Sequence, residues 1–219
     1  MDRRKFLIWE VGVMLAFQSR GVLIGAFGLM PEFSPGSQVK ADSILYAIAH
    51  IATGIPIFLF VMYRSGSPLS DYGFKKPRWP ADLNPLTFAA VSVVLNYAIF
   101  FYLAWKSGPG SVPPVDNAAP LWLIGTLCLA VGIAEETTFR GYLLARLEQL
   151  TGKTWIAIVG QAAIFGIGHS YQGTVGVLSA TSFGLFMGCI VAKYRTLWPC
   201  MLLHSLVDFC ILALYAYGT

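Results

Sequence analysis

Apolar residues along this chain come in long blocks. They fill the stretches 6–29, 41–63, 86–105, 118–146, 154–171, 174–192 and 197–217, with short polar or Pro/Gly-rich breaks between them. Blocks of this length suit α-helices that cross a hydrocarbon layer roughly 30 Å thick at about 1.5 Å per residue. The pattern predicts an all-α fold: a polytopic membrane helical bundle of about seven transmembrane helices. The first block, "FLIWEVGVMLAF", opens like a secretory signal, but Glu10 interrupts it and no small-x-small cleavage site follows. It therefore reads as an uncleaved anchor, with a break or kink near Arg20. The stretch "SGPGSVPPVDNAAP" (107–120) must break helix structure. The stretch 65–85, with Phe74, Trp79 and several cations, suits the headgroup region or serves as a plain connector.

Composition supports a membrane reading: 56% of residues are hydrophobic, 12% are charged, and the mean hydropathy is +0.65, far from soluble domains. The pattern leaves no room for a separate soluble domain. Residues 1–117 read as N-terminal helices and loops and 118–219 as a helical core, both within one integrated membrane domain. The four cysteines, Cys128, Cys189, Cys200 and Cys210, lie in apolar runs without metal or disulfide spacing and read as packing residues. The pairs Gly184 and Gly188 read the same way, as a close helix contact.

Charge sets the orientation. Arg3, Arg4, Lys5, Arg64, Lys75, Lys76, Arg78, Arg146, Lys153, Lys193 and Arg195 fall on one side of the predicted bundle, and only Lys40 and Lys106 on the other. The positive-inside rule then puts the N-terminus in the cytoplasm, in a multi-pass protein of the cell (inner) membrane. The net charge of +4 is thus a topology signal. A nucleic-acid partner is not needed to explain it.

Against this apolar background "EETTFR" is costly. Glu135, Glu136 and Arg140 would together cost nearly ~10 kcal/mol if exposed to lipid and unpaired, so they must face the bundle interior or a wet cavity. Glu136 and Arg140 are i,i+4 neighbours able to pair, whereas Glu135 points away from Arg140 and has no local partner. Such an asymmetry gives neighbouring carboxylates separate roles, with Glu135 as the candidate general base. The alternative is a buried ion pair that only fixes helix register. "IFGIGH" adds Phe165 and His169 at i,i+4, and "LLHSLVDFC" puts His204 and Asp208 on one helix face. Counting from the cytoplasmic helix ends gives depths of roughly 18 Å for Glu135, 22 Å for His169, 10 Å for His204 and 16 Å for Asp208. All four can line one cavity opening to the cytoplasm, with the makings of a hydrolytic site. His50 and Asn96 belong to no motif and read as structural.

In order, "EETTFR", "FGIGH" and "HSLVD" fit EExxxR, FxxxH and HxxxN/D. The chain thereby resembles the CAAX protease and bacteriocin-processing family of intramembrane endopeptidases over about 118–217. The resemblance implies that Glu135 activates water with Glu136 and Arg140 completing its motif, that His169 assists the water, and that His204 and Asp208 bind or polarise the scissile carbonyl. It implies a peptide or membrane-protein substrate cut near the bilayer surface. It leaves open whether the cofactor is none or a divalent metal such as zinc, because the chain lacks HExxH and its candidate ligands sit on three helices. Asp208 stands where the motif admits Asn or Asp, and an ionised Asp can only accept hydrogen bonds. Two other function classes use the same residues: a proton-coupled transporter, which an inverted repeat would favour, and a non-catalytic member of the family that binds a membrane partner.

Overall fold

The computed structural model describes residues 3–26, 40–107 and 119–217. Among these the chain forms seven helical rods. They are α1 (Arg3–Ala26), α2 (Ala41–Arg64), α3 (Leu83–Ser107), a composite rod, α6 (Thr154–Gly168), α7 (Gly173–Tyr194) and α8 (Trp198–Tyr217). The composite rod runs through α4 (Leu121–Glu135), a π-helical segment (Glu136–Leu143) and α5 (Leu144–Thr151). No strand occurs among the described residues. The protein is an all-helical integral membrane bundle, as the apolar blocks predict. By length and composition Ala41–Arg64, Leu83–Phe100, Leu121–Thr151 and Gly173–Tyr194 can cross a membrane, while Thr154–Gly168 and Trp198–Leu214 are shorter apolar helices. The helix of α1 runs through Arg20 without the expected break. The expected breaker loop lies almost wholly outside the described residues.

Local chemistry fixes where the rods begin and end. Pro120 sits before the first turn of α4, where its missing N–H costs nothing. Gly152 ends α5 in the left-handed region at φ 66°, as C-terminal glycines do. Arg195 ends α7 at φ 54°, unusual for a residue with a Cβ. Its guanidinium offsets that strain with a forked bond to Glu148 of α5, at 2.8 and 2.9 Å. Small residues set the closest contacts. A Cβ on Gly132 would strike the Ser205 side chain and approach its backbone nitrogen to 2.9 Å, so α4 and α8 touch backbone to backbone there. A Cβ on Gly184 would lie 2.9 Å from the Ala162 Cα, in line with the close α6–α7 contact read from the glycine spacing.

One large apolar cluster surrounds the π-helical segment. It includes Phe58 and Met62 of α2, Phe139, Tyr142 and Leu143, Phe165 of α6, and Phe183 and Met187 of α7. A smaller one, with Ile44, Leu123, Ile124, Cys128 and Ala216, joins α2, α4 and α8 at the other end. Cys128 and Cys200 are buried thiols and Cys189 and Cys210 exposed ones, all unbridged.

Charges counted at the sequence level as surface features turn inward here. Arg146 is not a loop cation: its Nε donates to Glu10 of α1 at 2.7 Å, and both side chains are buried. The Tyr142 hydroxyl donates to the same Glu10 oxygen at 2.9 Å. The Arg146 guanidinium also lies over the Tyr72 and Tyr142 rings. Thus the anion that interrupts the first apolar block anchors α1 to the rod that carries the EETTFR motif.

The α2–α3 connection straps the head of α8. The Leu197 N–H donates to the Gly73 carbonyl at 3.0 Å, Trp198 Nε1 donates to Asp82 Oδ2 at 3.0 Å, and the Trp79 and Trp198 rings meet edge to face. The Arg78 backbone N–H, donating to Asp82 Oδ2 at 2.7 Å, holds the Asp82 carboxyl below its ordinary 3.8, with Trp198 helping. A carboxyl depressed on folding contributes stability that is complete above its unfolded pKa and is lost as pH falls through the folded one. The thermal-midpoint gap between wild type and Asp82→Asn should therefore be constant from neutral pH down to about 4 and should close in stronger acid. A gap independent of pH in acid would show that the carboxylate charge plays no part in the strap.

Candidate active site

The glutamate pair straddles the junction where α4 gives way to the π-helix, Glu135 as the last α residue and Glu136 as the first π residue. A π turn takes up more residues than the 3.6 of an α turn, and such segments recur at functional sites. Every residue of the segment, Glu136 to Leu143, is buried.

Within it Glu136 Oε1 and Arg140 Nη1 form the expected i,i+4 ion pair at 3.0 Å, with both side chains fully buried. Aromatic rings enclose the cation: the guanidinium carbon lies 4.2 Å from the Phe165 ring centre, 5.5 Å from Phe183 and 6.0 Å from Phe139. A desolvated cation–π contact contributes about 2 kcal/mol. The N–H vectors of Arg140 do not aim at the carboxylate, and none of its three nitrogens has a geometrically sound hydrogen bond among the described residues. Glu135 Oε2, Glu136 Oε2 and Thr137 Oγ1 are likewise buried without one. Each such group costs about 1–3 kcal/mol, and strain of this kind concentrates at functional sites.

His204 of α8 reaches across to this pair. Its Nδ1 hydrogen-bonds Glu136 Oε1 at 2.9 Å, an interaction between residues 68 positions apart that sequence spacing does not reveal. With Nδ1–H donating to that carboxylate, Nε2 faces Glu135 Oε2 and Asp208 Oδ2, each at 3.6 Å. These gaps exceed hydrogen-bond length. Exposure divides the carboxylates: the Glu135 and Asp208 side chains are 24% and 26% exposed, against none for Glu136.

His169 is placed differently from the helix position expected of it. α6 ends at Gly168, and His169 caps it, with Nδ1 2.8 Å from the Phe165 carbonyl oxygen. The Phe165 ring lies 4.5 Å from the His169 ring and 6.2 Å from that of His204. Phe165 thus contacts both histidines and Arg140, a role that motif spacing only hints at. His50 stacks on Tyr46 within α2.

A zinc site needs three or four donors about 2.0–2.3 Å from one point. Among the described residues no three His, Cys, Asp or Glu side chains are grouped to hold a metal ion. The donors as they stand do not fit one, and no step below passes through a metal.

Residues 117–210, which contain all seven motif side chains, match the family of type II CAAX prenyl endopeptidase Rce1-like proteins. Through that segment the chain is similar to the Rce1-like family. The Rce1-like segment begins just before α4 and ends within α8, so it spans both glutamates, the π-helix and both histidines. The likeness points to a protease. No curated protein and no solved structure matches the chain.

Proposed function

We propose that the protein is an intramembrane endopeptidase in which Glu135 activates water against a peptide bond held at the Glu135–His204–Asp208 cluster. The observation that carries this reading is the division of the glutamates. Glu136 is sealed, ion-paired and bonded to His204, while its neighbour Glu135 is accessible and faces the free edge of the same imidazole.

In the proposed reaction Glu135 takes a proton from water as the water oxygen attacks the scissile carbonyl carbon. The proton passes to the departing amine as the C–N bond breaks. An Nε2–H on His204 faces the developing oxyanion, and Glu136 and Arg140 hold that ring in position. His169, at the other edge of Phe165, assists the water. Asp208, one turn along from His204 with its Oδ2 3.6 Å from the same Nε2, helps to bind or polarise the scissile carbonyl. The family points to prenylated C-terminal segments as substrates, which fits residues placed within membrane helices. The test incubates detergent-purified protein with prenylated and unmodified C-terminal peptides and identifies products by mass spectrometry. A defined internal cut is expected. Intact peptides of both kinds would sink the reading.

The site should open toward the cytoplasm, because the end of the bundle bearing Lys75, Lys76, Lys153 and Lys193 carries the positive charge. In a background without native cysteines, Lys76→Cys should react with a membrane-impermeant thiol reagent only from the cytoplasmic side and Lys40→Cys only from the outside. Labelling of both from one side would overturn this orientation.

A further inference from the structure

His204 has a second restraint that no motif supplies. Its Nδ1 bond to Glu136 fixes one corner of the imidazole, but the torsion that sets a histidine's ring plane is broad, and the direction of Nε2 follows that plane. Two phenylalanines stand against the ring. The Phe165 centroid lies 6.2 Å away, and that of Phe183 on α7 lies 4.8 Å away, with the Phe183 and His204 planes at 63° in an edge-to-face arrangement. Phe183, the nearer, belongs to none of the three motifs and is buried. The same ring lies 5.5 Å from the Arg140 guanidinium carbon. Arg140 and His204 converge on one oxygen, Glu136 Oε1, at 3.0 and 2.9 Å, so Phe183 touches both partners of that oxygen. Two bonds pin α7 on either side of it. One turn earlier Ser179 Oγ accepts from Asn96 Nδ2 of α3 at 3.2 Å. At the next position the Gly184 carbonyl accepts from the buried Gln161 Nε2 of α6 at 2.7 Å.

We infer that Phe183 is a positioning residue for the proposed reaction, its ring holding the plane of the His204 imidazole so that Nε2 stays aimed between Glu135 and Asp208, where the scissile carbonyl oxygen gains negative charge. The inference rests on the proteolytic reading above and deepens it. Nε2 lies 3.6 Å from Glu135 Oε2 and 3.6 Å from Asp208 Oδ2, beyond hydrogen-bond length, so neither carboxylate ties that edge of the ring. Its aim is set by the ring plane, and the plane by the aromatic contact. Aromatic pairs at this separation prefer edge-to-face geometry, a directional preference that an aliphatic side chain lacks. A donor stabilises an oxyanion only if it is aimed in advance.

Phe183→Leu keeps an apolar side chain in the cluster and removes the ring. It is expected to lower kcat about tenfold or more, in the direction of the roughly 10²-fold cost of misplacing a catalytic group by about 1 Å, with KM within about threefold of wild type, since only the aim toward the transition state is lost. Phe58 of α2 supplies the matched control: it is buried in the same apolar cluster, and its ring meets Tyr142 at 5.5 Å. Phe58→Leu should lower the thermal midpoint as Phe183→Leu does, yet keep kcat within about threefold of wild type. Should Phe183→Leu be extracted in low yield, the ratio of its affinities for a peptide phosphonate, a tetrahedral anion, and for the matching uncleaved peptide is independent of the folded fraction. That ratio should fall with kcat in Phe183→Leu and hold in Phe58→Leu. Wild-type kcat and an unchanged ratio in Phe183→Leu, or equal losses of both in the two variants, in preparations where Glu135→Gln is inactive, would overturn the role of Phe183 alone. Full activity in Glu135→Gln would overturn the proteolytic reading and the role of Phe183 with it.

Discussion

Glu135→Gln should lower peptide cleavage by about 10²–10⁴-fold, the contribution of a positioned general base, and should leave the thermal midpoint of the detergent-solubilised protein where it was. Glutamine preserves the volume and removes the proton acceptor. The midpoint should hold because Glu135 carries little structure: its one ion-pair contact among the described residues is with His204 Nε2 at 3.6 Å, and its side chain is 24% exposed. Turnover by purified Glu135→Gln near the wild-type rate would remove this carboxylate from the mechanism. A collapse of the midpoint would reassign it to the scaffold.

One position further along, the same substitution should do the opposite. Glu136 is fully buried, pairs with Arg140 at 3.0 Å and anchors His204 at 2.9 Å. Glu136→Gln leaves the guanidinium uncompensated inside its ring of phenylalanines, and breaking a buried pair from one side costs about 3–5 kcal/mol. The loss should show as a large drop in thermal midpoint, with activity falling as well because the imidazole is no longer held. Replacing both partners separates charge from shape: Glu136→Gln with Arg140→Met should be more stable than Glu136→Gln alone, since no unpaired cation remains. A double variant no more stable than the single one, or a single variant with the wild-type midpoint, would show that the pair is not what holds this segment together.

These contrasting expectations were half legible in the sequence. The Glu136–Arg140 pair follows from i,i+4 spacing, and the shared face of His204 and Asp208 from the same rule; the helical rods follow from block length. The π-helix does not follow, because nothing in ETTFRGYL distinguishes it from an α-helix by periodicity. The Glu136–His204 bond and the Glu10–Arg146 pair are also out of reach, since each joins helices far apart in the chain. Arg146 in particular looks like any cation at a helix end until α1 is laid against it.

The strap over the head of α8 also has a consequence in time. Gly73 and Asp82 leave the ribosome long before Leu197 and Trp198, their partners across the strap, and chains begin to fold from the N-terminal end during synthesis. The early helices and the EETTFR rod can therefore insert and settle while the helix bearing His204 and Asp208 does not yet exist. The last helix then arrives at a seat already built, and the Glu135–His204–Asp208 cluster is completed only by its docking. A chain still emerging, or one broken off before residue 204, holds Glu135 and Glu136 but lacks the imidazole that joins them. On the proposed reading, biogenesis itself thus keeps the protease quiet among the nascent membrane proteins that surround it.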